Sequence, residues 1–314
     1  MPRLLALVLV VLAASAHAAE PPAGLGHDHP LTGRIWDVAG TRFITTEALV
    51  ARLAPARFVL LGERHDNAAH HAVQARIVRG LVGAGRRPAV AFEMLGTDQE
   101  AALAAHLERA PRDAAGLGAA VGWSTSGWPP WMHYEPIAEA ALSAGLPIVA
   151  ANLPAGTARA VARGDLSALD GALVRAHGLD RPASPGTQAA MEREMRSAHC
   201  ETLPDAIVPS LVTVQRARDA QMAERLVGGQ RDGAVLIAGA GHVRTDRGVP
   251  AYLAARVPDA SVASVAFVEV ASGAVAPADY AGRFGTARLP FDFVWFTARA
   301  DDADPCARLR GTRG

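Results

Sequence analysis

Acidic and histidine side chains follow short apolar runs in this sequence, where they could do chemistry. Glu63 and His65 come just after one run, Glu93 ends a second, and His242 follows a later one. A carboxylate buried without a partner is costly, so we expect each acid to have a basic neighbour. Carboxylates beside imidazoles are groups that transfer protons or hold divalent metal ions. The alternative is that Glu63 caps a helix while the histidines make ordinary hydrogen bonds.

His70 and His71 are further candidate partners for these carboxylates. They would lie in the first turn of a helix that starts after Asp66 and Asn67. The positive end of the helix dipole favours neutral imidazole there. Neutral imidazole is the form that ligates metal.

A second group of candidate residues lies between positions 122 and 134. Trp123, Trp128, Trp131 and Tyr134 fall within this stretch, although aromatic residues make up only 5% of the chain. Together they could form a flat apolar surface on which a planar ligand stacks. Tyr134 and His133 are also candidate axial ligands to haem iron. The alternative is a loop that its aromatic residues pack onto the core.

Four apolar runs define the elements that would position these groups. They cover residues 57–61, 88–92, 147–151 and 234–238, and they alternate with helical patterns. Continuous apolar runs are typical of parallel strands covered on both faces. We therefore predict an α/β fold with a mostly parallel sheet, helices on both faces and a helical insertion near residues 155–205. One more strand is expected near residues 262–268, and residues 291–297 read as a strand or a packed tail.

Polar residues stand at the end of each of the four predicted strands. In a parallel sheet these positions share one edge, the edge where open α/β folds bind their ligands. Glu63, His65, Glu93, Asn152 and His242 are therefore expected to meet at one site, although they are far apart in the sequence.

The amino-terminal residues have the pattern of a signal peptide. Arg3 precedes an uncharged apolar run, and Ala16-His17-Ala18 has the small-x-small form of a cleavage site. We therefore predict a signal peptide over residues 1–18, an extended leader over 19–33 and a single domain over 34–314. The product would be periplasmic or secreted, and soluble after cleavage.

Charge and cysteine content narrow the partners and the compartment. The 31 basic and 31 acidic residues balance, so nucleic acid is not an expected partner. The two cysteines, Cys200 and Cys306, would face an oxidising compartment after export. We predict a disulfide between them. The alternative is two unrelated thiols.

Several motifs together resemble the ChaN family of bacterial haem-binding proteins. The segments Leu60–Asn67, Phe92-Glu93-Met94, Gln215–Asp219 and Gly239–Pro250 are similar to family motifs and occur in the same order. The motif around Asn152, the closing Trp295-Phe296-Thr297 and the Asp304-Pro305-Cys306 segment are similar too. The resemblance covers nearly the whole chain after residue 18.

The resemblance implies haem binding at the cell envelope in connection with iron uptake. It further implies a homodimer with haem at its interface and envelope haem-transport components as partners. It also implies kinship with Tiki-type metalloproteases and erythromycin esterases. The active-site positions of those enzymes correspond to Glu63, His65, Glu93 and His242.

Two functions from different classes follow. In the first, which the resemblance favours, the protein binds haem, and the pocket candidates are Tyr134, His133, Trp131, Trp128, Asn152 and Arg244. In the second, the protein is a metal-dependent hydrolase of the peptidase or esterase kind. There His65, His242 and Glu93 would hold a divalent metal, and Glu63 would deprotonate the bound water.

Overall fold

The computed structural model describes residues 25–228, 232–303 and Cys306. The predicted signal peptide and the first part of the predicted leader lie outside the described residues. The rest of the leader, residues 25–33, forms turns rather than an extended segment. Its Leu31 is buried in the apolar core, so this segment packs against the fold.

One sheet contains eight strands within the described residues. They are β1 (Ile35–Asp37), β2 (Arg42–Ile44), β3 (Phe58–Glu63), β4 (Ala89–Gly96), β5 (Ile148–Asn152), β6 (Ala234–Gly239), β7 (Val262–Glu269) and β8 (Phe293–Thr297). The four apolar runs predicted β3 to β6, and all four strands are confirmed. Every residue of β3 and β6 is buried, as expected for strands covered on both faces.

The strand order is β2-β1-β8-β7-β3-β6-β4-β5. All pairings from β8 to β5 are parallel, whereas β1 pairs antiparallel with both β2 and β8. The sheet is therefore mixed, and the prediction of a mostly parallel sheet was wrong at this edge. β1 and β2 have only 3 residues each, too short for a recognisable apolar pattern.

Helices cover both faces of the sheet. They are α1 (Thr46–Leu53), α2 (Ala68–Gly83), α3 (Glu100–Arg109), α4 (Ala114–Ala120), α5 (Trp131–Ser143), α6 (Ala155–Ala162), α7 (Gly171–His177), α8 (Pro185–Ala198), α9 (Val208–Val227) and α10 (Val249–Arg256). Leu61 of β3 packs in the layer that contains α2 and α5, and Leu60 packs in the layer of α9 and α10. This division arises because successive side chains of a strand point to opposite faces. Within the described ranges, no helix combines the length and the apolar character that crossing a membrane requires.

The helices α6, α7 and α8 form the segment between β5 and α9. Val161 and Leu173 of this segment bury their side chains against Val214 of α9 in an apolar cluster of their own. Just after α8, Cys200 is joined to Cys306 by the predicted disulfide, with 5.5 Å between the Cα atoms. The end of α8 is therefore covalently tied to the carboxyl-terminal tail.

Candidate functional site

The carboxyl ends of β3, β4, β5 and β6 lie side by side. Glu63, the last residue of β3, is opposite Gly239 at the end of β6. The Gly239 N–H donates to Oε2 of Glu93 at 2.7 Å. Asn152 at the end of β5 donates from Nδ2 to the backbone oxygen of Glu93 at 2.8 Å. Hydrogen bonds thus connect neighbouring strand ends.

Glu63 is buried and surrounded by donors. Its Oε1 accepts hydrogen bonds from His65 Nδ1 at 2.9 Å and from the Tyr134 hydroxyl at 2.8 Å. Nε2 of His71 lies 3.3 Å from the other oxygen, without hydrogen-bond geometry. Burial alone would raise the pKa of Glu63, but His65 and His71 outweigh it and lower the pKa to about 2. The carboxylate is therefore ionised and a weak base.

Glu93 and Asp219 hold His242 between them. His242 Nε2 lies 3.2 Å from Glu93 Oε1, and its Nδ1 lies 2.6 Å from Asp219 Oδ1. Burial opposes a charged imidazole, yet the two carboxylates outweigh burial and raise the pKa of His242 to about 10. Burial raises the pKa of Asp219 against the attraction of His242, whereas His242 and His65 lower that of Glu93. His242 is therefore an imidazolium that cross-links β4, α9 and the loop after β6.

Asp219 is the member of this cluster that the residue candidates missed. It lies on α9 with its side chain buried, among Ala217, Ala220 and Met222. A carboxylate on the apolar face of a helix demands a buried cation, and this signal was readable in the sequence. Its partner could not be read from the sequence, because His242 lies in the loop after β6.

His65 is the most accessible of the clustered side chains. It is 32% exposed, and its ring makes an edge contact with Trp128, with 4.8 Å between ring centroids. Burial lowers the pKa of His65, but the Glu63 hydrogen bond and the Glu93 charge raise it overall. A Cβ atom on Gly239 would lie 2.9 Å from Nε2 of His65. Glycine at the end of β6 therefore makes room for this imidazole.

The side chains of Glu63, His65, Glu93, Asp219 and His242 are called the polar cluster below. His70 lies outside it. Its Nδ1 accepts a hydrogen bond from the Arg64 N–H at 2.9 Å, and its Nε2 lies 2.8 Å from the hydroxyl of Thr297. Burial lowers the pKa of His70 to about 3, so the imidazole is neutral. It connects the start of α2 to β8 and takes no part in the Glu63 or Glu93 contacts.

The predicted metal ligands His65, Glu93 and His242 lie close together, with Glu93 Oε2 3.9 Å from His65 Nε2 and Glu93 Oε1 3.2 Å from His242 Nε2. Across residues 25–228 and 232–303, no group of three or more His, Cys, Asp or Glu side chains could hold a metal ion. Glu93 and Asp219 hold His242 protonated, so a metal that bound through His242 would have to displace that proton. The predicted general base, Glu63, has a lowered pKa.

The haem-binding uptake family, described as ChaN of the Tiki superfamily, matches residues 49–253. This chain belongs to the ChaN family. The matched range includes Glu63, His65, Glu93, Asp219 and His242.

This ChaN-family chain is similar to several solved structures. One is described as cofacial heme binding to ChaN of Campylobacter jejuni. It is 20% identical with a TM-score of 0.64, and the match covers 83% of this chain and 95% of that one. The type III effector HopBA1 matches at 14% identity and a TM-score of 0.43, over 79% of this chain and 91% of that one. A mutant of the erythromycin esterase EreC in its open conformation matches at 14% identity and a TM-score of 0.39, over 84% and 81%. No curated protein gives a match in sequence.

Haem bound to a ChaN-family chain would supply an iron centre that needs an axial donor from the protein. The predicted donor Tyr134 does not fit, because its side chain is 0% exposed and its hydroxyl donates to Glu63. Burial and the Glu63 charge raise its pKa, so a phenolate is disfavoured. Tyr280 is also buried, and burial raises the pKa of Tyr252 to about 12. Tyr134 and Tyr280 are therefore inaccessible to a ligand, whereas Tyr252 is half-buried.

Most tryptophans of the aromatic loop, residues 122–134, pack within the protein. Trp123 donates from Nε1 to the Pro129 oxygen, and Trp131 donates from Nε1 to the Ala114 oxygen. The Trp131 indole therefore anchors α5 rather than presenting a free polar end. Trp128 is the tryptophan of this loop that contacts His65. His133 is half-buried, with no hydrogen-bond partner for Nδ1 among the described residues.

Two other predicted haem contacts, Arg244 and Asn152, are engaged within the protein. Arg244 is fully buried, pairs through two nitrogens with Asp246 and donates to the Phe284 oxygen. Asn152 bridges Glu93 and the Leu153 N–H. Their roles in this structure are to position the loop after β6 and the ends of β4 and β5.

Proposed function

We propose that this protein is an exported haem-binding protein that serves haem or iron uptake at the cell envelope. The observation that carries the proposal is the ChaN family match, which spans all the residues of the polar cluster. Haem would lie at the carboxyl edge of the sheet, beside that cluster, where open α/β sheets bind ligands.

Two places at this edge have the chemistry to accept a planar ligand. One is the side of the aromatic loop, where Trp128 packs against the half-exposed His65 and Met132 is 71% exposed. The other is a groove between α8 and α9, which borders the cluster at Gln215 and Gly241. Histidine or thioether ligation fits both places, since neither presents an exposed tyrosine among the described residues.

Export to an oxidising compartment is part of the proposal. It is supported by the signal-peptide pattern of residues 1–18 and by the disulfide between Cys200 and Cys306. Envelope haem-transport components and a second copy of this chain are the proposed partners. Sedimentation of the protein with and without haemin would test the second copy directly.

A haemin titration of the oxidised protein tests the function. We expect a saturable shift of the Soret band with a fixed stoichiometry. The control is the same protein held unfolded in urea, which retains every side chain but no pocket. If the folded protein gave no shift, or the same shift as the unfolded control, specific haem binding would be ruled out.

A further inference from the structure

The groove between α8 and α9 is built from one face of each helix. Met191, Met195 and His199 follow one another at intervals of four residues along α8 and its end. Leu211, Val214, Gln215 and Arg218 lie on the facing side of α9, and Gly241 borders the cavity. Residues spaced in this way share one helix face. The cavity has a volume of about 480 Å³, within the range of small-molecule pockets.

The lining combines apolar walls with two nitrogen groups. Methionine, leucine and valine side chains suit the faces of a porphyrin, and thioethers adapt their shape to such a ring. These nitrogen groups are the His199 imidazole and the Arg218 guanidinium, and the Gln215 amide also lines the groove. Glu194 also borders the groove, but its carboxylate is already paired with Arg247.

The hydrogen bond of His199 determines which of its nitrogens carries a lone pair. Nδ1 lies 2.8 Å from the backbone oxygen of Met195. A carbonyl oxygen can only accept, so Nδ1 carries the proton and Nε2 has the lone pair. A histidine that ligates a metal through one nitrogen commonly donates to a carbonyl from the other.

The backbone after His199 is held in an unusual conformation. Cys200 and Glu201 have φ angles of 59° and 57°, although neither is glycine. Residues other than glycine rarely occupy this left-handed region, and two in succession need support from the surrounding structure. The disulfide to Cys306 begins at the first of them. His199 therefore directly precedes a turn that the Cys200–Cys306 disulfide holds in place.

Arg218 is half-buried, and one of its nitrogens, Nε, is enclosed and lacks an acceptor among the described residues. An enclosed N–H donor without an acceptor is costly. A carboxylate on a ligand in the groove would remove that cost, because guanidinium and carboxylate form charge-assisted hydrogen bonds.

We propose that this groove holds haem, with Nε2 of His199 as an axial ligand to the iron and Arg218 as the partner of a propionate. The assignment rests on the haem binding proposed above and adds its location. It places the ring on the α9 side of the polar cluster rather than against the aromatic loop. Gln215 lines the groove and lies beside the cluster, with 3.1 Å between its Nε2 and His242 Nδ1.

Haemin titrations of matched variants test the ligand, read by absorption and by electron paramagnetic resonance of the ferric iron. His199→Ala should weaken haem binding roughly ten- to hundredfold and change the spin-state signature. Added imidazole should restore the wild-type signature, which a purely structural role for His199 would not produce. His27→Ala, which removes an exposed histidine, is the control.

Haemin and its dimethyl ester together test Arg218. Arg218→Ala should weaken binding of haemin roughly tenfold but leave binding of the dimethyl ester unchanged, because the ester lacks the propionate charge. Arg112→Ala, at an exposed position, is the control. Equal losses for both ligands would contradict the propionate contact.

Trp128→Ala separates the two possible locations. Loss of haem binding in Trp128→Ala, with His199→Ala and Arg218→Ala unchanged, would overturn the groove and leave the proposed function intact. Failure of the wild-type protein to bind haemin would overturn both. Circular dichroism of each variant establishes that it is folded before titration.

Discussion

At the residue scale, the main feature is a buried imidazolium between two carboxylates. The pKa of His242 rises from its ordinary 6.5 to about 10 in the folded protein, because Glu93 and Asp219 outweigh its burial. A group whose pKa rises on folding stabilises the folded state fully below its unfolded pKa. That contribution disappears as pH rises through the folded value of about 10.

We therefore expect the free energy of unfolding to fall between pH 6.5 and about pH 10. The chain contains no lysine, and His65, whose pKa is also raised, changes the stability in the same direction. Urea denaturation at a series of pH values measures the change. A midpoint that stays constant from pH 7 to pH 10 would show that His242 is not held as an imidazolium.

Asp219→Asn provides the matched variant for this measurement. Removing one carboxylate of a buried ionic group costs about 3–5 kcal/mol, and the pH window should move down as the pKa of His242 falls. Asp259→Asn, at an exposed position, should leave both the midpoint and its pH dependence unchanged.

At the element scale, the pairing of β3 with β6 brings the two halves of the polar cluster together. Gly62 of β3 packs closely against the loop that carries His242. A Cβ atom there would lie 2.3 Å from Val243 Cγ2 and 2.9 Å from the Ala240 Cα. The second contact is with backbone, so the loop itself would have to move.

Gly62→Ala should therefore destabilise the protein by about 1–3 kcal/mol, the usual cost of overpacking. Gly83→Ala is the control, because Gly83 ends α2 in open space with nothing within 4 Å of an added Cβ. That change should be neutral or stabilising by less than about 1 kcal/mol. Urea denaturation midpoints of the two variants measure this difference in stability. Equal midpoints would contradict the close packing around Gly62.

At the scale of the whole molecule, the disulfide closes a long loop. Cys200 and Cys306 are 106 residues apart, so the bond restricts much of the unfolded chain. We expect Cys200→Ser to lower the free energy of unfolding by about 2–5 kcal/mol. The Cys200→Ser/Cys306→Ser double variant should lose no more than the single variant, because both remove the same bond. Additive losses in urea denaturation would show that the cysteines act separately.

The sequence by itself determined the strands that carry the site and the edge at which they meet. Their apolar runs are local signals, and parallel pairing puts the following residues at one edge, so Glu63, Glu93 and Asn152 were predictable. The cysteine pair was predictable because the chain has only two cysteines and a signal-peptide pattern. β1 and β2 were not predictable, because a strand of three residues is too short to show a hydrophobic pattern.

Only the tertiary structure decided what the clustered side chains can do. Residue type cannot show that Tyr134 is buried and bonded to Glu63, or that His242 is held by Asp219. Protonation and accessibility depend on neighbours that the chain brings together from distant positions. For the same reason, the face that combines Met195, His199 and Arg218 became visible only when α8 was packed against α9.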